Sequence, residues 1–108
     1  MRRFNIAVTS AFLAGVAVAV AGAADHTIRQ KGKVFSESEI TVKRGDELLF
    51  LNDDNIAHNV LSTTAGNRFD LGLLNPGELR PVKFDSVGDV RVICAIHPTM
   101  KMTVKVSQ

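Results

Sequence analysis

Residues 90–106 read Val90-Arg91-Val92-Ile93-Cys94-Ala95-Ile96-His97-Pro98-Thr99-Met100-Lys101-Met102-Thr103-Val104-Lys105-Val106, two alternating runs around a short irregular loop. Side chains in a strand point to opposite faces in turn, so Val90, Val92 and Cys94 share one face and Met102, Val104 and Val106 another. Both faces are apolar and point into a core. The loop from Cys94 to Met100 then sits at the core's rim and places a thiol, an imidazole and a thioether close together. Pro98 holds the residue before it extended and limits the shapes the loop can take.

Working outward, the same kind of pattern recurs. His26 to Lys31 is a first strand and Ile40-Thr41-Val42 a second, closed by a turn at Gly45-Asp46. Leu48-Leu49-Phe50-Leu51 is a nearly continuous apolar run, expected of a strand buried on both sides or crossing the core. Asn52-Asp53-Asp54-Asn55 breaks it, with the Asp53-Asp54 pair as a solvated tip, and another strand covers His58 to Ser62. Asn75-Pro76-Gly77 turns into Leu79 to Phe84, where Pro81 marks an edge position. Nothing after Asp25 shows sustained helical spacing. The expected fold class is all-β, a Greek-key antiparallel β-sandwich. Phe35, Phe50, Phe69 and Phe84 are its expected aromatic core, because that part of the chain has no Tyr or Trp.

The start of the chain differs from the rest. A basic head, Arg2-Arg3, precedes an uncharged apolar run from Ile6 to Val20 and the small residues Ala21-Gly22-Ala23-Ala24. That is the layout of a secretory signal peptide, and the cut is expected after Ala23 or Ala24. A membrane anchor is the competing reading, but the run is short for a span and rich in Ala and Gly. The expected organisation is residues 1–24 as a cleaved signal and 25–108 as one domain, with periplasmic localisation and no stable membrane insertion after cleavage.

Charge follows the same division. The chain carries 13 Lys+Arg against 11 Asp+Glu, and Arg2 and Arg3 are two of the 13, so the remainder is neutral at 11 against 11. The basicity of the whole chain therefore belongs mostly to the leader and gives no argument for a nucleic-acid partner. A domain of this size in an oxidising compartment often relies on disulfides. Yet Cys94 is the only cysteine. It is paired between chains, free, or bound to a metal.

Ligand softness favours the last. Thiolate and thioether are soft donors and imidazole is intermediate, so one Cys, two His and a distant Met suit copper cycling between Cu(I) and Cu(II). The second histidine is His26 or His58. His26 lies just beyond the expected cut, where termini are loose, and His58 follows the core-crossing run.

These residues also carry a resemblance. His58-Asn59-Val60, Pro76-Gly77-Glu78 before Phe84, and Gly88 followed by Cys94, His97 and Met100 resemble the cupredoxins, the type 1 blue copper proteins. The two-residue spacings from Cys94 to His97 and from His97 to Met100 are those of the amicyanin branch, with plastocyanin and pseudoazurin as neighbours. The resemblance implies one copper ion held by His58, Cys94, His97 and, axially, Met100. Asn59 would tie the two ligand-bearing segments together, and a backbone N–H near it would reach the Cys94 sulfur. It further implies an exported monomer that is not an enzyme and that carries single electrons between redox partner proteins, such as a dehydrogenase or a c-type cytochrome. An apolar patch around His97, from Ile96, Pro98 and Ala57, would be the exit for electrons.

Three alternatives stay open on the sequence. Met102 could replace Met100 as axial ligand, although its parity with Val104 and Val106 places it in the core. The protein could instead be a carrier or chaperone that hands on Cu(I) through Met100, Met102 and His97. A zinc hydrolase is disfavoured because the loop offers no Asp or Glu as general base.

Overall fold

The computed structural model describes residues 26–108, so the expected signal peptide lies outside the described residues. Among the described residues nine strands account for the regular structure: β1 (His26–Lys31), β2 (Val34–Phe35), β3 (Glu39–Lys43), β4 (Glu47–Asn52), β5 (His58–Ser62), β6 (Phe69–Leu74), β7 (Leu79–Lys83), β8 (Gly88–Ile93) and β9 (Lys101–Ser107). They form two sheets, a four-stranded one in the order β2-β1-β4-β7 and a five-stranded one in the order β3-β9-β8-β5-β6. Among the described residues no helix is long and apolar enough to cross a membrane.

The sandwich matches the sequence reading, and two of its ladders add to it. β1 pairs with β4 in parallel, and β3 pairs with β9 in parallel, while the remaining ladders are antiparallel. Parallel neighbours need long connections. Here these arise because the chain passes repeatedly from one sheet to the other, leaving early strands beside much later ones. β7 is an edge strand. Pro81 requires this, since a proline has no N–H for a second ladder.

Each inner face is apolar by alternation. In the β8–β9 hairpin Val90 lies opposite Val104 and Val92 opposite Met102, and all four are buried. In β4, Leu48 and Phe50 are fully buried, but Leu49 and Leu51 on the other face are only half-buried. The apolar run at 48–51 is therefore not covered on both sides; one face packs inward and the other forms part of the outer surface. The four phenylalanines stack in a row, with ring centroids 6.3 Å apart from Phe35 to Phe50, 6.5 Å from Phe50 to Phe69 and 6.0 Å from Phe69 to Phe84. The first and last pairs meet edge to face and Phe50–Phe69 is tilted; edge-to-face contacts add to plain area burial.

Two turns prepare the ends of strands near the site. Gly32 and Lys33 both have positive φ, the conformation that a two-residue hairpin loop between β1 and β2 needs. Gly77, also at positive φ, follows Pro76 in a turn closed by the Glu78 N–H on the Asn75 carbonyl at 3.0 Å. Proline followed by a positive-φ glycine is the usual chemistry of such a turn.

Candidate metal centre

The loop from Cys94 to Met100 joins two neighbouring strands of one sheet. Its closure is backbone-driven: the Cys94 N–H donates to the Met100 carbonyl at 3.1 Å and the Met100 N–H to the His97 carbonyl at 2.8 Å. Cys94 follows β8 on its inner face and is fully buried, Met100 ends the loop fully buried, and His97 between them is half-buried.

The other histidine comes from the far side of the loop cluster. β5 begins at His58, and the ladder between β5 and β6 slips between Asn59 and Leu61. A bulge re-aims side chains, and here His58, Asn59 and Val60 are buried in succession where alternation would expose the middle one. The His58 ring is fully buried, with its Nδ1 4.0 Å from Cys94 Sγ. His97 Nδ1 lies 3.9 Å from the same sulfur. The two imidazoles meet edge to face, centroids 5.0 Å apart.

These distances suit a shared ion. Metal–nitrogen bonds of about 2.0 Å and a metal–sulfur bond of about 2.3 Å at trigonal angles would separate sulfur from nitrogen by roughly 3.7 Å. The ligand atoms of His58, Cys94 and His97 all lie within 4.8 Å of one another. One sulfur and two imidazoles, two of the three fully buried, are a donor set for copper rather than for a hard cation.

Asn59 joins the two segments. Its backbone N–H donates to Cys94 Sγ at 3.3 Å, and its Oδ1 accepts the Ala95 N–H at 3.0 Å. Its Nδ2 donates to Asp70 Oδ1 at 3.0 Å and to the Gly72 carbonyl at 3.2 Å. Replacing Asn59 by alanine removes three side-chain hydrogen bonds and leaves partners unsatisfied. At about 1 kcal/mol for each, the metal-free protein should lose about 2–3 kcal/mol, read as a lower midpoint in urea unfolding.

Three polar residues outside the expected ligand set also build the site. Asn52, fully buried at the end of β4, donates from Nδ2 to the carbonyls of Ile56 (2.8 Å) and Leu74 (2.9 Å) and accepts the Asp54 N–H on Oδ1 at 2.9 Å. It clamps the connection leading into His58. Gln30, inward on β1, reaches across the sandwich to the Asn59 carbonyl at 3.2 Å, while its Oε1 finds no partner among the described residues. Asp54 is the third: His58 Nε2–H donates to its Oδ2 at 2.9 Å. Its carboxyl is held below the usual value, first by that hydrogen bond, against opposing desolvation, with the Lys33 and Asn55 N–H groups adding to the lowering. Asp54 is thus no solvated tip, whereas Asp53 beside it is exposed and lies 3.5 Å from Arg29.

His26 plays no part in this cluster; it is on β1 facing Glu37 at 3.6 Å. Met102 lies in β9 in register with Val92, inside the valine core. The chain neighbours of His97, Ile96 (50% exposed) and Pro98, are exposed, and on the segment leading to His58 Ile56 is 37% exposed and Ala57 half-buried.

A family model described as "Copper binding proteins, plastocyanin/azurin family" matches residues 23–107. The chain belongs to that family. It is a cupredoxin, a copper-binding electron-transfer protein in outline, and its cofactor is one copper ion.

Solved structures agree on the fold of this cupredoxin. The Cu(I) form of an amicyanin in which a methionine is replaced by alanine superposes with a TM-score of 0.72 at 18% identity, over 82% of this chain and 88% of that one. A purple cupredoxin from Nitrosopumilus maritimus gives 0.68 at 23% identity, over 77% of this chain and 100% of that one. A copper-containing nitrite reductase from Thermus scotoductus SA-01 gives 0.72 at 23% identity over 78% of this chain, which spans only 22% of the reductase. No curated protein matches the sequence.

Proposed function

We propose that this cupredoxin is an exported, monomeric carrier of single electrons, using a type 1 centre held by His58, Cys94 and His97, with Met100 as the axial ligand. The observation that carries the reading is the approach of two imidazole Nδ1 atoms, from segments remote in sequence, to 4.0 and 3.9 Å from one buried cysteine sulfur. Copper supplies the one-electron exchange between Cu(II) and Cu(I). The chain's own residues hold the donors still: Asn59 pins the Cys94 loop to β5, Asn52 fixes the approach to His58, and the Met100–His97 turn closes the other side. Donors fixed in advance by packing and hydrogen bonds need little rearrangement when the charge of the ion changes.

His97 is the half-buried ligand of the set, and the exposed Ile96 and Pro98 flank it. That apolar rim favours short-lived docking of a redox partner protein, a dehydrogenase or a c-type cytochrome, and near-neutral charge beyond the leader gives little long-range steering. The basic head, apolar run and small residues before Asp25 support export to the periplasm. No substrate is transformed, so the protein is not an enzyme on its own.

The test is a Cu(II) titration of the purified protein followed in the visible range. One equivalent should produce an intense blue thiolate-to-copper band, and Cys94→Ser should abolish it. Met100→Leu should shift the band and the potential while Met102→Leu leaves both in place. Tight Cu(I) binding without a stable blue Cu(II) form, with rapid handover to an acceptor protein, would establish the carrier reading instead.

A further inference from the structure

Beside the buried amides of Asn52 and Asn59, which hold backbone in place, Asp54 is a part-buried carboxylate hydrogen-bonded to the His58 imidazole. Its carboxylate is only 15% exposed and sits 2.9 Å from the Nε2 of a fully buried imidazole. The surroundings fix it there. The Asp54 N–H is held by Asn52 Oδ1, Oδ1 accepts the Asn55 N–H at 3.1 Å, and Oδ2 also accepts the Lys33 N–H at 3.4 Å. That last donor is presented by the β1–β2 hairpin, whose two positive-φ residues turn the amide toward the loop. A carboxylate with several N–H donors from three segments is a built feature.

We propose that Asp54 is a positioning residue of the copper centre: it takes the Nε2 proton of His58 as a hydrogen bond, leaves Nδ1 as the donor facing Cys94, and lowers the reduction potential by placing a negative charge one imidazole away from the ion. This rests on the reading of the site as a copper centre. A neutral imidazole carries its proton on one nitrogen and its lone pair on the other, so an acceptor at Nε2 selects the tautomer that coordinates through Nδ1. Carboxylate partners of ligand imidazoles also raise their donor strength. Both effects favour the ion of higher charge, so Cu(II) gains over Cu(I).

Two substitutions separate the roles. Asp54→Asn keeps an acceptor oxygen but removes the charge, and Asp54→Ala removes both. In the copper-loaded protein Asp54→Asn should retain the blue band and raise the Cu(I):Cu(II) ratio at fixed ambient potential on the order of tenfold, about 59 mV for one electron. Asp54→Glu should fall nearer the parent protein than Asn does, and Asp53→Asn, which alters the exposed neighbour, should leave the potential unmoved. In the metal-free protein, nitrogen NMR of the His58 ring should show the proton on Nε2 in the parent and in Asp54→Asn, and a loss of that single tautomer in Asp54→Ala. Unchanged potential in Asp54→Asn together with an unchanged tautomer in Asp54→Ala would overturn the proposal and reduce Asp54 to a loop-shaping residue. If the parent forms no blue centre, the functional reading fails, while the metal-free tautomer still decides whether Asp54 positions His58.

Discussion

Loading the metal-free protein with copper raises its unfolding temperature by more than about 15 °C, an expectation built from binding linkage and the size of the domain. The proposed donors reside on β5 and on the β8–β9 loop, and only the folded chain brings those of His58, Cys94 and His97 within 4.8 Å of one another. An unfolded chain offers no such site, so binding energy becomes folding energy. With free copper at a thousand times the dissociation constant the gain is about 4.1 kcal/mol. For a domain below about 100 residues each kcal/mol is worth roughly 4–8 °C. Calorimetry with and without one equivalent of copper measures the shift. Cys94→Ser should lose most of it, and a parent protein whose melting temperature stays put on loading would contradict a preformed copper site.

The second large effect concerns the core. Phe50 is fully buried in the middle of β4 and touches the rings of Phe35 and Phe69. Phe50→Ala should cost about 3–5 kcal/mol, transfer energy plus a cavity that strands on both sides prevent from closing. Domains of this size are stable by only about 5–15 kcal/mol, so the metal-free variant should lose a large share of its stability. Leu49→Ala, one residue away on the half-buried outer face, should cost about 1 kcal/mol. Denaturant unfolding of the two variants checks the contrast; equal losses would mean that the outer face is covered as deeply as the inner.

Much of this architecture was legible because burial here obeys parity. The β8–β9 alternation, the edge proline in β7 and the break after Leu51 each follow from one local rule. β6 escaped notice because Asp70 and Gly72 interrupt its apolar pattern. It is an edge strand with a ladder on one side only, and of its six residues only Leu74 is buried, so its signal is weak. β2 is too short, at two residues, to show any period. The 48–51 run left two readings open, covered on both sides or crossing the core, since consecutive apolar residues do not reveal whether a second layer covers them. At the site, the Cys-His-Met spacing is local and could be read directly. Asp54 could not be, because two adjacent aspartates in a polar break look like any solvated turn. Its spacing of four from His58 was the available clue, but the bond depends on Asn52 curling the loop and on the distant β1–β2 hairpin. The bulge that buries Asn59 beside His58 also depends on β6, and no feature of the 58–62 stretch alone announces it.

The parallel pairing of β3 with β9 has a consequence for biosynthesis. The final strand lies inside the five-stranded sheet, between β3 and β8, so its seven residues complete the ladder on both sides. A nascent polypeptide therefore cannot close its core while Lys101–Ser107 remain in the ribosomal tunnel, and long-range pairings of this kind form slowly even after release. Until β9 has docked, the β8–β9 loop is not held against β5, so copper meets its proposed ligands only after that last pairing forms.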